Sequence, residues 1–149
     1  MARIIAVCRS EKKGTKKEDI ARGVLKENYG LIGDAHADHS THRQVSLLAM
    51  ESINEMRSQG FDVGPGDFAE NLTCEGVGLV SLPIGTRISI GEETILEITQ
   101  IGKECHTGCA IYRQIGKCIM PKRGVFAKVV RGGVVRIGDA IRIEELEDR

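Results

Sequence analysis

Apolar and polar residues alternate with a period of two over several short stretches, a pattern that predicts β-strands. The clearest alternation is in residues 86–90 and 94–99, which Gly91-Glu92-Glu93 joins as a short hairpin. The other predicted strands are residues 2–8, 44–48, 71–74, 125–130, 134–137 and 140–144. Residues 2–8 are mostly apolar, so we expect this strand, which contains Cys8, to be buried on both faces.

One segment has helical periodicity instead. Apolar residues recur at helical spacing over residues 49–59, at Ala49, Met50, Ile53 and Met56. Gly60 follows as a stop signal, so a helix is predicted there, with its methionines in the core. Residues 9–17, which are rich in lysine, predict a solvated loop, with anion binding as the alternative. Residues 30–43 are rich in glycine and small polar residues and also predict a loop.

The pattern as a whole predicts a mainly β fold. Eight or so short strands, one or two short helices and many tight turns, including Arg131-Gly132-Gly133, favour a closed or partly open β-barrel. Glycine is abundant at 18 residues and aromatic residues are only 3%, so the core is expected to consist of Ile, Val and Leu. No repeat, linker or change of composition divides the chain, and one domain is predicted over residues 1–149.

Charge and hydropathy exclude some classes of function. The 149 residues contain 21 Lys and Arg against 21 Asp and Glu, whereas general nucleic-acid or anionic-membrane binders carry a basic excess. No apolar run approaches the roughly 18 residues of a membrane helix. Residues 1–11 lack the features of a signal peptide. We therefore expect a cytoplasmic protein that binds neither nucleic acid nor membrane.

Cysteines carry the strongest chemical signal. There are five, an odd number, so reduced thiols are expected rather than a complete set of disulfides. Cys105, Cys109 and Cys118 fall within fourteen residues, and Cys105 lies beside Lys103 and His106 in a glycine-rich segment. Nearby cations lower a thiol pKa, and the thiolate can act as a nucleophile, accept sulfane sulfur or bind a soft metal. The alternative is that these cysteines are small buried hydrophobic residues.

Three alternative roles for this region are zinc binding, a disulfide switch and anion binding. The three cysteines with His106 could bind zinc, and a second loop offers His36, His39 and His42. A disulfide switch is disfavoured because the Cys105–Cys109 spacing is not that of thioredoxin-like motifs. Anion binding is favoured by cations near glycine-rich turns, which are Arg43, Lys103, Arg113, Lys122, Arg123, Arg131 and Arg136.

Several motifs in order along the chain resemble one known family. They are Gly33-Asp34-Ala35-His36, residues 43–48, Pro65-Gly66-Asp67-Phe68-Ala69-Glu70-Asn71-Leu72-Thr73, residues 82–86, residues 103–109, Met120-Pro121, residues 124–127 and residues 131–139. Together they resemble the MOSC domain, named for the C-terminal domain of molybdenum cofactor sulfurase, in its short stand-alone bacterial form. The resemblance implies a β-rich fold related to the β-barrel domain of pyruvate kinase.

The resemblance also implies a function and its residues. It indicates a protein that binds molybdenum cofactor and acts in cofactor maturation, sulfur transfer or molybdenum-dependent chemistry. Cys105 is expected to be the molybdenum ligand or the sulfur-bearing residue, with Cys118 as the second candidate. Lys103 and His106 would then tune the thiolate. Arg43, with Arg113, Arg131 or Arg136, would hold the cofactor phosphate.

This chain differs from the larger members of the family, and the difference limits which of their functions the resemblance implies. This chain is too short to include the pyridoxal-phosphate-dependent cysteine desulfurase domain of the full sulfurase, so no pyridoxal phosphate is expected in it. A separate cysteine desulfurase or cofactor-biosynthesis enzyme is the expected partner. The alternatives are a non-catalytic cofactor carrier and a zinc-stabilised structural domain. Three aspartates that follow glycines are expected to cap backbone N–H groups, namely Asp34, Asp67 and Asp139.

Overall fold

The computed structural model describes residues 2–13, 15–102 and 119–144. The strands within them are β1 (Arg3–Arg9), β2 (Glu18–Asp19), β3 (Arg22–Lys26), β4 (Gly30–Leu31), β5 (Val45–Ala49), β6 (Leu72–Glu75), β7 (Arg87–Ile90), β8 (Thr94–Ile101), β9 (Val125–Arg131), β10 (Gly133–Arg136) and β11 (Ile141–Ile143). The helices are α1 (Met50–Ser58), α2 (Met120–Arg123) and a short 3-10 turn, Leu79–Ser81. Among these residues no helix has both the length and the apolar character needed to cross a bilayer.

The larger sheet has eight strands in the order β11-β7-β8-β9-β5-β6-β1-β2. All neighbours are antiparallel except β5 and β6. The N-terminal half of β1 also bonds to the segment before β11: the Ile4 N–H donates to the Asp139 carbonyl at 2.9 Å, and the Gly138 N–H to the Ile4 carbonyl at 2.8 Å. The sheet therefore curls into a partly closed barrel, which confirms the predicted mainly β fold.

A second, three-stranded sheet has the order β10-β3-β4 and packs against the barrel. The sequence did not predict β3, because Arg22–Lys26 holds only two large apolar residues beside a glycine. The tight turn predicted at Arg131-Gly132-Gly133 does not join its two flanking strands into a hairpin. At Gly132 the chain leaves the larger sheet, and β10 then pairs with β3 instead of β9.

Aliphatic residues fill the barrel, as the composition indicated. Its fully buried members include Ile4, Leu47, Leu72, Ile88 and Leu96. A second cluster lies outside the barrel, where Met50, Ile53 and Met56 of α1 pack against Phe68 and Phe126. Full burial of each such side chain contributes about 1.5–3 kcal/mol, so both clusters hold the strands that carry the site in place.

Candidate functional site

The cysteine-rich segment is inserted between two neighbouring strands. β8 ends at Ile101, and the Gly102 N–H donates to the Gly124 carbonyl, just before β9, at 2.7 Å. This bond holds the two sides of the insertion together. Five predicted site residues lie within the insertion and outside the described residues, and their roles stay predictions: Lys103, Cys105, His106, Arg113 and Cys118.

Arg43 lies at the base of this insertion. Its Nε donates to the Gln100 Oε1 at 2.9 Å, and its guanidinium stands over the Phe126 ring, 5.4 Å from the ring centroid. The Gln100 Nε2 donates in turn to the Gly102 carbonyl at 2.8 Å. The terminal guanidinium nitrogens of Arg43 have no partner in the part of the chain that the structure describes. They are the pair of donors that binds phosphate or carboxylate in a bidentate manner.

The other two described arginines of the predicted phosphate site lie elsewhere. Arg131 ends β9 opposite Ile95, whereas Arg43 contacts Gln100, so the two positions are roughly 17 Å apart along β8. Arg136 belongs to the second sheet, where it faces Arg22. The structure therefore brings Arg43, but neither Arg131 nor Arg136, to the base of the cysteine-rich segment.

A buried polar cluster surrounds Lys17, which is the one described residue of the predicted solvated loop that is buried. The Lys17 side chain is fully buried. Its Nζ donates to the Asp34 Oδ1 at 2.7 Å and to the Ser10 Oγ at 3.0 Å, and lies 3.1 Å from the His36 Nδ1. These contacts use all three protons of the ammonium group. Lys17 therefore joins the lysine-rich loop to the Gly33–His36 motif.

Asp34 is the anionic centre of this cluster. Besides Lys17 it accepts hydrogen bonds from the backbone N–H groups of Ser10 at 3.1 Å and His36 at 3.0 Å. Burial by itself raises the pKa of Asp34, but the hydrogen bond and charge of Lys17, with these N–H groups, bring the pKa below its usual value. The predicted capping role of Asp34 is confirmed, as are those of Asp67, which accepts from the Gly64 N–H, and Asp139, which accepts from the Arg136 N–H.

The histidines of the Gly30–Arg43 region contact separate partners. Because the Lys17 ammonium can only donate, the His36 Nδ1 accepts its hydrogen bond, and this nitrogen is occupied. His42 contacts the Gln100 Oε1 at 2.8 Å instead. Over residues 2–13, 15–102 and 119–144, no three His, Cys, Asp or Glu side chains are placed to hold a metal ion. The cysteines of the predicted zinc site lie outside those residues.

A tight turn at Pro65–Glu70 packs against the Lys17 backbone. The Lys17 N–H donates to the Gly66 carbonyl at 2.8 Å, and Gly66 has a φ of +86°. Glu70 is fully buried and accepts from the Gly66 N–H at 3.0 Å and from the Thr73 hydroxyl at 2.8 Å. Burial raises the pKa of Glu70. The sequence analysis gave Glu70 no structural role, although the residue lies within the motif of residues 65–73.

The two described cysteines are unsuited to reaction. Cys8 and Cys74 are buried, as the strand prediction indicated for Cys8. Burial, followed by the charge of Glu70, raises the pKa of both thiols far above the usual range. Since the thiolate is the reactive species, neither residue can act as a nucleophile at neutral pH.

Comparison with known proteins gives one family and several structures. The family model described as "MOSC domain" matches residues 33–142. The structure is similar to the YuaD protein from Bacillus subtilis, with a TM-score of 0.80 and 20% identity over 99% of this chain and 98% of that one. It is also similar to YiiM from Geobacillus stearothermophilus, with a TM-score of 0.71 and 17% identity over 97% of this chain and 76% of that one. YiiM from Escherichia coli gives a TM-score of 0.66 and 18% identity over 99% and 72%. No curated protein sequence matches.

Proposed function

Because this chain belongs to the MOSC domain family, we propose that it binds molybdenum cofactor and takes part in sulfur transfer during cofactor maturation. The observation that carries the proposal is the position of Arg43. Its guanidinium is fixed by Gln100 and Phe126 at the base of the segment that holds Cys105 and Cys118. An anion-binding group thus lies where the chain enters the segment whose sequence contains the candidate sulfur ligands.

The residues at this base fit the phosphate end of the cofactor. The free donors of Arg43 form a fork suited to phosphate, and Gln100 keeps that fork in one orientation. When bound, the cofactor supplies molybdenum held by the dithiolene sulfurs of a pterin, a metal that favours thiolate ligands. Cys8 and Cys74 do not fit as ligands because they are buried and protonated. The proposal therefore assigns the sulfur chemistry to Cys105, with Cys118 as the second candidate.

The sulfur-transfer step needs a donor, and we assign this role to a separate cysteine desulfurase. The Cys105 thiolate would attack the outer sulfur of a persulfide on the donor. The donor's S–S bond would break, and its cysteine would leave as a thiolate. Lys103 and His106 adjoin Cys105 in sequence and would favour its thiolate form.

Metal content of the purified protein tests the proposal. The protein is produced in a host that makes molybdenum cofactor, purified without oxygen, and analysed for molybdenum and zinc. The expected result is molybdenum in the wild type, its loss in Cys105→Ala and a reduced amount in Arg43→Gln. Cys8→Ala is the control, because Cys8 lies on the buried strand β1, and its loading should be unchanged.

Other outcomes overturn the proposal or change its details. Loss of molybdenum in Cys118→Ala but not in Cys105→Ala would move the ligand to the second candidate. Stoichiometric zinc would favour the structural-metal alternative. If neither metal is present, and incubation with a persulfide-loaded cysteine desulfurase adds no sulfur atom to Cys105 or Cys118 by mass spectrometry, the proposal fails.

A further inference from the structure

The outer face of the second sheet has an unusual combination of side chains. We define this outer face by Arg22, Val24 and Lys26 of β3, Val134 and Arg136 of β10, and Ile32 beside β4. Strand alternation places these residues on one side, since Leu25 and Val135 between them are buried in the core. Val24 is 45% exposed and Ile32 is 46% exposed.

Strand register arranges the outer face in rows. Val134 lies directly opposite Val24, and the Ile32 N–H donates to the Val24 carbonyl at 3.0 Å, so an apolar row crosses the sheet. Arg136 lies directly opposite Arg22 in the next row. Lys26 is on the other side of the apolar row and faces Gly30. An apolar row is thus bordered by cations on both sides.

The paired arginines are unfavourable for the isolated chain. Like charges directly opposite on antiparallel strands repel and destabilise the pair. On the larger sheet some strand cations are neutralised, since Arg87 and Lys128 both contact Glu97, at 3.4 and 3.5 Å. Within the described residues neither Arg22 nor Arg136 forms a salt bridge, and Asp139 accepts from the Arg136 backbone N–H instead. The missing countercharge points to an external anion.

We propose that the outer face binds an acidic segment of a partner protein, with an apolar side chain of that segment on Val24 and Ile32 and its carboxylates on Arg22 and Arg136. A second copy of this face is disfavoured because it would bring four arginines together. Inorganic phosphate or a nucleic-acid backbone would meet the arginines but leave the apolar row uncovered. The assignment is independent of cofactor binding and goes beyond the proposed function.

Backbone amide NMR titration tests the assignment. The probe is a capped hexapeptide, Asp-Glu-Leu-Ile-Glu-Asp, added to the isotope-labelled full chain. We expect shift changes concentrated at residues 22–26, 32 and 133–136. Arg22→Glu, Arg136→Glu and Val24→Ser should each weaken binding about tenfold. Lys13→Glu is the matched control, because it changes the charge of an exposed loop residue by the same amount and should leave binding unchanged.

Several results would contradict the proposal. Binding that survives both arginine reversals would exclude this face. Equal binding of a peptide with serines in place of Leu and Ile would mean that the apolar row is not covered, and the same shifts with inorganic phosphate alone would indicate a small-anion site. Binding to phosphatidylglycerol vesicles but not to the peptide would indicate a membrane surface instead. Dispersed amide spectra of all variants would show that they remain folded.

Discussion

Lys17 and Asp34 form a fully buried ion pair, with 2.7 Å between the Lys17 Nζ and the Asp34 Oδ1. The pair joins two loops that are distant in sequence, the lysine-rich loop and the Gly33–His36 motif. Each partner is further satisfied, since Lys17 also donates to Ser10 and Asp34 accepts two backbone N–H groups. A buried pair with complete hydrogen bonding fixes geometry, but it leaves a costly charge if one partner is removed.

We expect Lys17→Met to destabilise the protein by about 3–5 kcal/mol, because Asp34 would remain buried without its countercharge. Urea unfolding measured at neutral pH gives the free energy. Arg3→Gln is the control: Arg3 and Glu75 form an exposed pair at 3.5 Å, and its loss should cost only about 0–1 kcal/mol. Similar losses in the two variants would contradict the account of the buried pair.

The lowered pKa of Asp34 predicts how the free energy of unfolding depends on pH in the acid range. Its pKa is lower in the folded state than its ordinary value of 3.8, so the unfolded chain binds the proton more readily. The resulting stability is complete above 3.8 and decreases as the pH falls through the folded pKa. Urea midpoints between pH 2 and pH 5 should therefore fall more steeply for the wild type than for Asp34→Asn. Equal slopes would show that Asp34 does not titrate as proposed.

Glu70 acts with the opposite sign and in a different range. Because burial raises the pKa of Glu70, the folded state keeps the carboxyl proton at pH values above 4.5, where the unfolded chain releases it. Stability therefore decreases as the pH rises from 4.5 towards the folded pKa. The contributions of Glu70 and Asp34 can thus be separated by the direction of the slope and by the pH at which it occurs.

Cys8 and Cys74 should resist alkylation in the native protein. Both thiols are buried and their pKa values are raised, so iodoacetamide should modify them only after unfolding in guanidinium. Mass spectrometry of the digested protein identifies the modified peptides. Rapid native labelling of Cys8 or Cys74 would show that β1 or β6 opens under native conditions.

Gly66→Ala should be strongly destabilising. A Cβ at this position would overlap the Lys17 carbonyl oxygen, and the φ of +86° is itself unfavourable for alanine. Gly85→Ala separates the two effects, because Gly85 has a φ of +94° but no atom within 4 Å of the added Cβ. Thermal unfolding should give a lower Tm for Gly66→Ala than for Gly85→Ala. Equal Tm values would mean that backbone strain alone accounts for the loss.

Local patterns predicted the strands well where alternation was clear. The β7–β8 hairpin and helix α1 were found because their signals lie within a few consecutive residues. β3 was missed because its pairing with β10 depends on residues far along the chain. The burial of Lys17 was missed for the same reason. In sequence it is one of several lysines in a polar segment, and only the fold brings Asp34 beside it.

The site was predictable only in part. Arg43 was selected from the sequence, but Gln100, which fixes its guanidinium, lies on a distant strand and has no motif of its own. Glu70 was quoted within a motif without a role, because its contacts with the Gly66 turn become evident only in the fold. Charge and residue type were enough to select candidate site residues from the sequence. The orientation of their side chains depends on contacts between strands that are distant in sequence.

The hydrogen bond between Gly102 and Gly124 closes the insertion between them at the edge of the paired strands β8 and β9. Strands β8 and β9 are already paired up to Ile101 and Val125, so the barrel does not rely on the intervening chain to bring its neighbours together. Doubling the length of such an insertion costs only about 0.6 kcal/mol of closure entropy. A change of length before Ile119 is therefore inexpensive for the barrel, whereas Ile119 itself packs against the cluster that contains Phe68 and Phe126.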